Sequence, residues 1–397
     1  MNDPRMALWL LIALIGMGAS APIRAFEPEY VIVASHWDYP EALILDMDAD
    51  ANVLFRRSYP AAAGIEKSAV SPDGRVVILG PASSIYIPVM IYALFLDTGG
   101  NVKEDIVKIT PFPDFNGGGY TPITFSSDSS MFFAGSNPFT FSGRHSSDSN
   151  TILITEAPRL LSSRTTALNY SSFSRSILFQ DHSSLHDERN DASSGLDLIS
   201  TAAISPDGSI GPVASSLRLP FPANVFMDTS IDGQWSATTS MAETIIMLVR
   251  NHANGTLAFM GELLISELDF SFASSIKFSP RYPFLYVLGS GSKALLSIRY
   301  GEDGSLEEVD SVGRRENGRG FLDNFGLAIT PDGEYALFTS ANLDNPTNCM
   351  LHIVRLNPDG TMDFLPEKGG EFVGRISDLA VTQIHRNGVD AEWSLYQ

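Results

Sequence analysis

A hydrolytic site needs a carboxylate or an imidazole to activate water, and cations to hold the oxyanion that develops on the substrate. Three residues of this chain offer that set, Glu66 as the base with Arg319 and Arg375 as the cations. Four more polar residues in connecting segments, His36, Asp38, Lys67 and Asn324, are candidates for ligand binding. The competing reading for all seven is mutual pairing or a solvated rim, because charged loops occur on any soluble fold. Nucleophilic catalysis has no support. There is no Gly-x-Ser-x-Gly elbow, and the lone Cys349 has no histidine beside it in sequence and reads as a small apolar core residue.

No metal centre is assigned. Calcium is the one cofactor left open, at Asp46-Met47-Asp48-Ala49-Asp50-Ala51-Asn52, which alternates oxygen-bearing side chains. Ala51 stands where the sharp turn of a calcium loop wants glycine, and Arg57 where a bidentate glutamate would close it, so an acidic hairpin tip is the stronger reading. His182 and His186 have zinc-compatible spacing only on a helix, and the Ser, Asp and Asn around them argue for a loop. Gly117-Gly118-Gly119 lacks the lysine and the strand-to-helix setting of a phosphate loop.

The N-terminus reads as a signal peptide over residues 1–25. A short polar start with one arginine precedes the apolar run Ala7 to Met17, and small residues follow up to Ala25. The expected location is therefore secreted or periplasmic, with no membrane span after cleavage. Loss of Asp3, Arg5 and Arg24 leaves 24 basic and 45 acidic residues, a net charge of about −21 that repels phosphate backbones. No basic stripe offsets it, so nucleic acid is excluded as a partner, and the expected partner is a small molecule or a protein. Oligomeric state is not specified by these features.

The elements that must position such residues announce themselves as a repeat. Ala69-Val70-Ser71-Pro72-Asp73-Gly74-Arg75-Val76-Val77-Ile78-Leu79 returns almost unchanged from Ala328 to Phe338. Weaker copies begin at Ser126, Ser174, Ser230, Ser279 and Thr382, at intervals of 48 to 56 residues. Proline presets the turn, aspartate satisfies nearby amides and glycine takes the left-handed position, so the motif joins two antiparallel strands. A second hairpin signal follows in most units, as at Ser205-Pro206-Asp207-Gly208, Asn254-Gly255-Thr256, Glu302-Asp303-Gly304 and Asn357-Pro358-Asp359-Gly360. Four strands and two tight turns per unit, seven times over, predict an all-β, seven-bladed β-propeller of four-stranded antiparallel blades across residues 26–397. The chain begins on strand-like Tyr30 to Ser35 and ends on Leu379 to Ile384, so the C-terminal strand is expected to join the N-terminal blade and close the ring.

The stretch Val309 to Met362, with Asn317-Gly318-Arg319-Gly320, Thr330-Pro331-Asp332-Gly333, Ser340-Ala341-Asn342 and Asn357-Pro358-Asp359-Gly360-Thr361, resembles a blade of the seven-bladed propeller lactonases, the family of 6-phosphogluconolactonase-like and muconate-cyclising enzymes and related surface repeat proteins. The resemblance implies a site at the central channel, and it places Arg319 near an arginine beside that channel. Family members commonly carry histidine four residues before the motif serine. Here those positions are Lys67, Pro122, Tyr170, Phe226, Ser275, Gly326 and Asp378, so no histidine is carried over. The expectation is an exported propeller binding a ligand or protein partner on its loop face. The alternative is a lactonase-like hydrolase or isomerase acting on a sugar or organic-acid lactone at the channel.

Overall fold

The computed structural model describes residues 26–384, except 37–38, 62–63, 82–87, 104–106, 117–121, 137–138, 147–148, 156–158, 161–166, 184–195, 220–224, 241–244, 266–272, 290–292, 314–325, 343–344 and 346. The described strands form seven antiparallel sheets in a ring, each of four principal strands, with a short fifth strand in blades 3 and 7. Blade 1 contains Pro28–His36, Glu41–Asp48 and Val53–Pro60, and its innermost strand is the C-terminal Ile376–Gln383. That strand pairs with Pro28–His36 from Tyr30↔Gln383 to His36↔Ile376, so the last strand of the chain completes blade 1 and closes the ring. The other six blades run from inside to outside in chain order. Their inner strands are Ile65–Val70, Ile123–Phe125, Leu168–Ser171, Val225–Thr229, Ala273–Phe278 and Leu327–Ile329.

A propeller has no single core. Its apolar residues fall into seven clusters, each filling the gap between two successive blades. The run Tyr30-Val31-Ile32-Val33-Ala34 shows why such strands read as continuously apolar. Side chains alternate across a strand, so Tyr30, Ile32 and Ala34 pack toward blade 7 while Val31 and Val33 pack toward blade 2.

The motif turns work as their composition predicts. The Ser71 hydroxyl accepts the Val76 N–H (2.9 Å) and donates to Asp73 Oδ1 (2.6 Å), which also accepts the Arg75 N–H, while Gly74 sits at φ +68°. Ser126 with Asp128, Ser230 with Asp232 and Thr330 with Asp332 repeat the arrangement. In blade 4 the copy begins at Ser171, three residues before the position read from sequence, because Ser171 pairs with Ser176. Arg175 takes the left-handed position there at φ +48°, and with neither proline nor glycine the turn had no clear punctuation. The position four before this serine is thus Ala167 rather than Tyr170, and it is still not histidine. The acidic segment Asp46 to Asn52 is the outer hairpin of blade 1. Asp48 accepts the amides of Asp50 and Asn52, and Asp46 is clamped by Arg56 through two nitrogens.

Candidate functional site in the central channel

Both hairpin sets lie on one face of the ring, and the other is the loop face. Between the faces runs the channel, bounded by seven inner strands. Their curvature brings together residues far apart in sequence. Asp228 on the inner strand of blade 5 accepts the Phe278 N–H of blade 6 through Oδ2 (2.8 Å), and its Oδ1 faces Lys277 Nζ at 3.7 Å. Asp378 on the inner strand of blade 1 accepts the Ser68 N–H of blade 2 (2.9 Å) and adds its charge to the field at Lys277. Lys277 is therefore an ammonium on an inner strand, paired with Asp228 and in the field of Asp378.

The side chains of Lys277 and Asp228 keep 39% and 17% of their surface, so the pair is only partly open to solvent. Asp228 raises the ammonium pKa of Lys277 against the opposing effect of burial, and Asp378 adds to the rise, so Lys277 stays charged. Desolvation pushes the Asp228 carboxyl up, against the pull of Lys277 and of the amides of Phe278 and Thr229. A fixed cation beside a carboxylate of raised pKa can donate to one oxygen and accept from another in the same small volume.

A glycine lets the inner strands of blades 7 and 1 approach closely. A Cβ at Gly326, which leads into the inner strand of blade 7, would lie 2.9 Å from both Asp378 Cα and Leu379 N. A side chain at this position, a histidine included, would require the Asp378–Leu379 backbone to shift. The hairpin-face mouth of the channel opens into a cavity of about 600 Å³, whose lining includes Asp73, Asp128, Tyr170, Ser230, Pro331 and Thr382.

The seven residues singled out from sequence are distributed as follows. Glu66 and Lys67 are consecutive on the inner strand of blade 2, Glu66 buried and Lys67 half-buried, where the ladder with Val76–Pro81 shifts register between Ile65 and Lys67. Arg375 is exposed, directly before the inner strand of blade 1. His36 is buried at the end of Pro28–His36. Its Nε2 donates to the Val373 carbonyl (2.7 Å) and its Nδ1 accepts the Tyr39 N–H (3.3 Å), so both ring nitrogens hold the structure together. Asp38, Arg319 and Asn324, with His186 of the zinc-like pair, lie outside the described residues. Among the described residues no group of three or more His, Cys, Asp or Glu is arranged to hold a metal ion. Sequence reading missed Asp228 and Lys277. The signal was there, because each stands two residues before a motif serine, on the strand that edges the lumen.

The fold and this channel define a class, the seven-bladed propellers with a polar lumen. Among solved structures, the chain is similar to the periplasmic gluconolactonase PpgL of Pseudomonas aeruginosa, at 15% identity and a TM-score of 0.65 over 90% of this chain and 99% of that one. It is similar to a putative 6-phosphogluconolactonase of Bacteroides fragilis at 12% identity and a TM-score of 0.65, over 90% and 99% of the two chains. A protein from Lactobacillus plantarum matches at 13% identity and a TM-score of 0.64, over 90% and 100%. At these identities the likeness is one of fold. No family model matches the chain, and no curated protein does. Among the described residues no helix is long and apolar enough to cross a membrane.

Proposed function

We propose that this chain is an exported propeller that binds a small polyhydroxylated ligand, of the sugar or sugar-lactone class, in its central channel from the loop face. The observation that carries the reading is Lys277 paired with Asp228 of the neighbouring blade at 3.7 Å, in the field of Asp378. Donor and acceptor side by side match vicinal hydroxyls, each of which both donates and accepts, whereas a purely cationic or purely anionic lumen would select a charged ligand. Export follows from the signal-like segment 1–25, and the periplasmic gluconolactonase among the structural neighbours agrees with an envelope location.

A second reading, hydrolysis of the lactone, is favoured by the raised carboxyl of Asp228 beside a fixed ammonium. In that reaction Asp228 takes a proton from water as its oxygen attacks the lactone carbonyl, and Lys277 donates to the developing oxyanion. The ring C–O bond then breaks, and the proton returns to the leaving oxygen to give the open hydroxy acid.

One experiment separates the readings. The mature protein is titrated calorimetrically with sorbitol and gluconate, and a panel of sugar and aliphatic lactones is run in a pH-stat beside Lys277→Met, Asp228→Asn and Arg319→Ala. Saturable heat, weakened about tenfold or more in Lys277→Met, supports the channel site. Lactone turnover lost in Asp228→Asn adds the enzyme, and absence of both binding and turnover overturns the proposal.

A further inference from the structure

The cavity at the hairpin-face mouth differs in chemistry from the lumen and lies at the other end of the channel from the loops. Its walls include the rings of Tyr170 and Phe125, with Pro72, Pro280, Pro331 and Ile231. Tyr170 stacks on Phe133 at a 5.7 Å centroid distance and an interplanar angle of 5°, which holds its ring in a single plane. Among the described residues the only charged side chains in the lining are Asp73 and Asp128, from the motif turns of neighbouring blades 2 and 3. Both use Oδ1 to close their own turns. Among the described residues, Oδ2 of each is without a hydrogen-bond partner, whereas in blade 7 the Oδ2 of the equivalent Asp332 is taken by the Tyr30 hydroxyl. The two turns are tied together by the Asp73 N–H, which donates to Ser129 Oγ at 2.8 Å, so the carboxylates are held in fixed relation.

The surrounding charges do not reverse this sign. His145 packs edge-on against Phe125 near Asp73, and burial lowers its pKa, so at neutral pH it adds no positive charge. Lys277 lies two residues deeper and is outnumbered by Asp228 and Asp378. Arg175 acts on Tyr170 from the adjoining turn and is absent from the lining.

The geometry points to a second binding site in this cavity, for an organic ammonium ion with an apolar body: the carboxylates of Asp73 and Asp128 neutralise the cation while Tyr170, Phe125 and the prolines cover the apolar part. A desolvated cation gains from carboxylate and aromatic face together, whereas sugar acids and phosphates are repelled. The site goes beyond the lumen reading and does not depend on it.

Its test is titration calorimetry of the mature protein with benzyltrimethylammonium, with the uncharged isostere neopentylbenzene and with benzoate. These run beside the double variant Asp73→Asn/Asp128→Asn and beside Lys277→Met. Asparagine preserves the turn, since Asn254 Oδ1 accepts the Thr256 N–H in the same way in blade 5, so the double variant loses charge without losing its fold. The expected result is saturable binding of the cation below about 1 mM, at least about tenfold weaker in the double variant and for the isostere, and none for benzoate. Lys277→Met should leave this affinity within about threefold, which separates failure here from failure of the lumen site. Equal binding by the double variant, equal binding of the isostere, or no saturable binding up to about 10 mM overturns the assignment.

Discussion

The second strand of each blade and the innermost strand beside it are hydrogen-bonded neighbours built to different rules. Phe284–Gly289 is buried at every position, and Tyr335–Ala341 at all but its last. Inner strands are shorter or more broken in pattern: Leu327–Ile329 has three residues, and Ile65–Val70 is half-buried from Lys67 onward. A second strand has a blade on either side of it, so both of its faces are filled. An inner strand has one edge on the lumen, where water replaces a neighbour, and polar residues can stand there without the desolvation that a core would impose. Stability is thus concentrated one strand out from the axis, and the axis is left for chemistry.

The sharpest way to break this contrast is to cut a second strand. Phe338 is fully buried between blades 6 and 7, and Phe338→Ala should cost about 3–5 kcal/mol in urea unfolding, the loss of a buried aromatic plus the cavity it leaves. Next is the one inner-ring position that carries structural weight: Gly326→Ala must move the Asp378–Leu379 backbone and should cost about 1–3 kcal/mol, with a matching fall in Tm. A loss larger than that of Phe338→Ala would sink the contrast. Replacing a lumen charge should matter less, and Lys277→Met should lower stability by about 1 kcal/mol or less, because the ammonium is more than a third exposed and Asp228 keeps its hydrogen bond from the Phe278 amide.

Acid provides a finer test. Hydrogen bonds within the turns hold Asp128 low despite partial desolvation. Asp303 is held low by the Ser305 hydroxyl and amide, and Asp359 by those of Thr361. What these groups add is fully present above the ordinary value of 3.8 and is lost as pH falls through their lower folded values. Asp228 has the opposite sign, since its raised value makes the folded state prefer the proton, an advantage present below 3.8 and lost as pH rises through the folded value. Melting followed from about pH 6 to about pH 2 should show falling Tm toward acid, a limb that Asp128→Asn flattens and Asp228→Asn leaves in place. The smallest effect is expected for Asp73→Asn/Asp128→Asn near neutral pH, a Tm within about 2 °C of the parent.

The sequence by itself determined the architecture. Six Ser/Thr-initiated turns near fifty residues apart, a seventh copy at Thr382 that falls on the closing strand, apolar runs long enough for two buried faces, and a strand at each end without a partner in its own unit lead to a closed seven-bladed ring, because turn chemistry and strand alternation are local. The copy at Ser171 was misplaced by three residues where neither proline nor glycine marked the turn. The sites were less legible. His36 read as a ligand candidate because it stands in a connecting segment, yet Val373, more than three hundred residues away, occupies its Nε2. Only the tertiary structure brought Lys277 to Asp228 and into the field of Asp378, and Asp73 beside Asp128, because those distances are set by the curvature that accumulates from blade to blade, and no local interaction encodes which side chains of neighbouring blades meet.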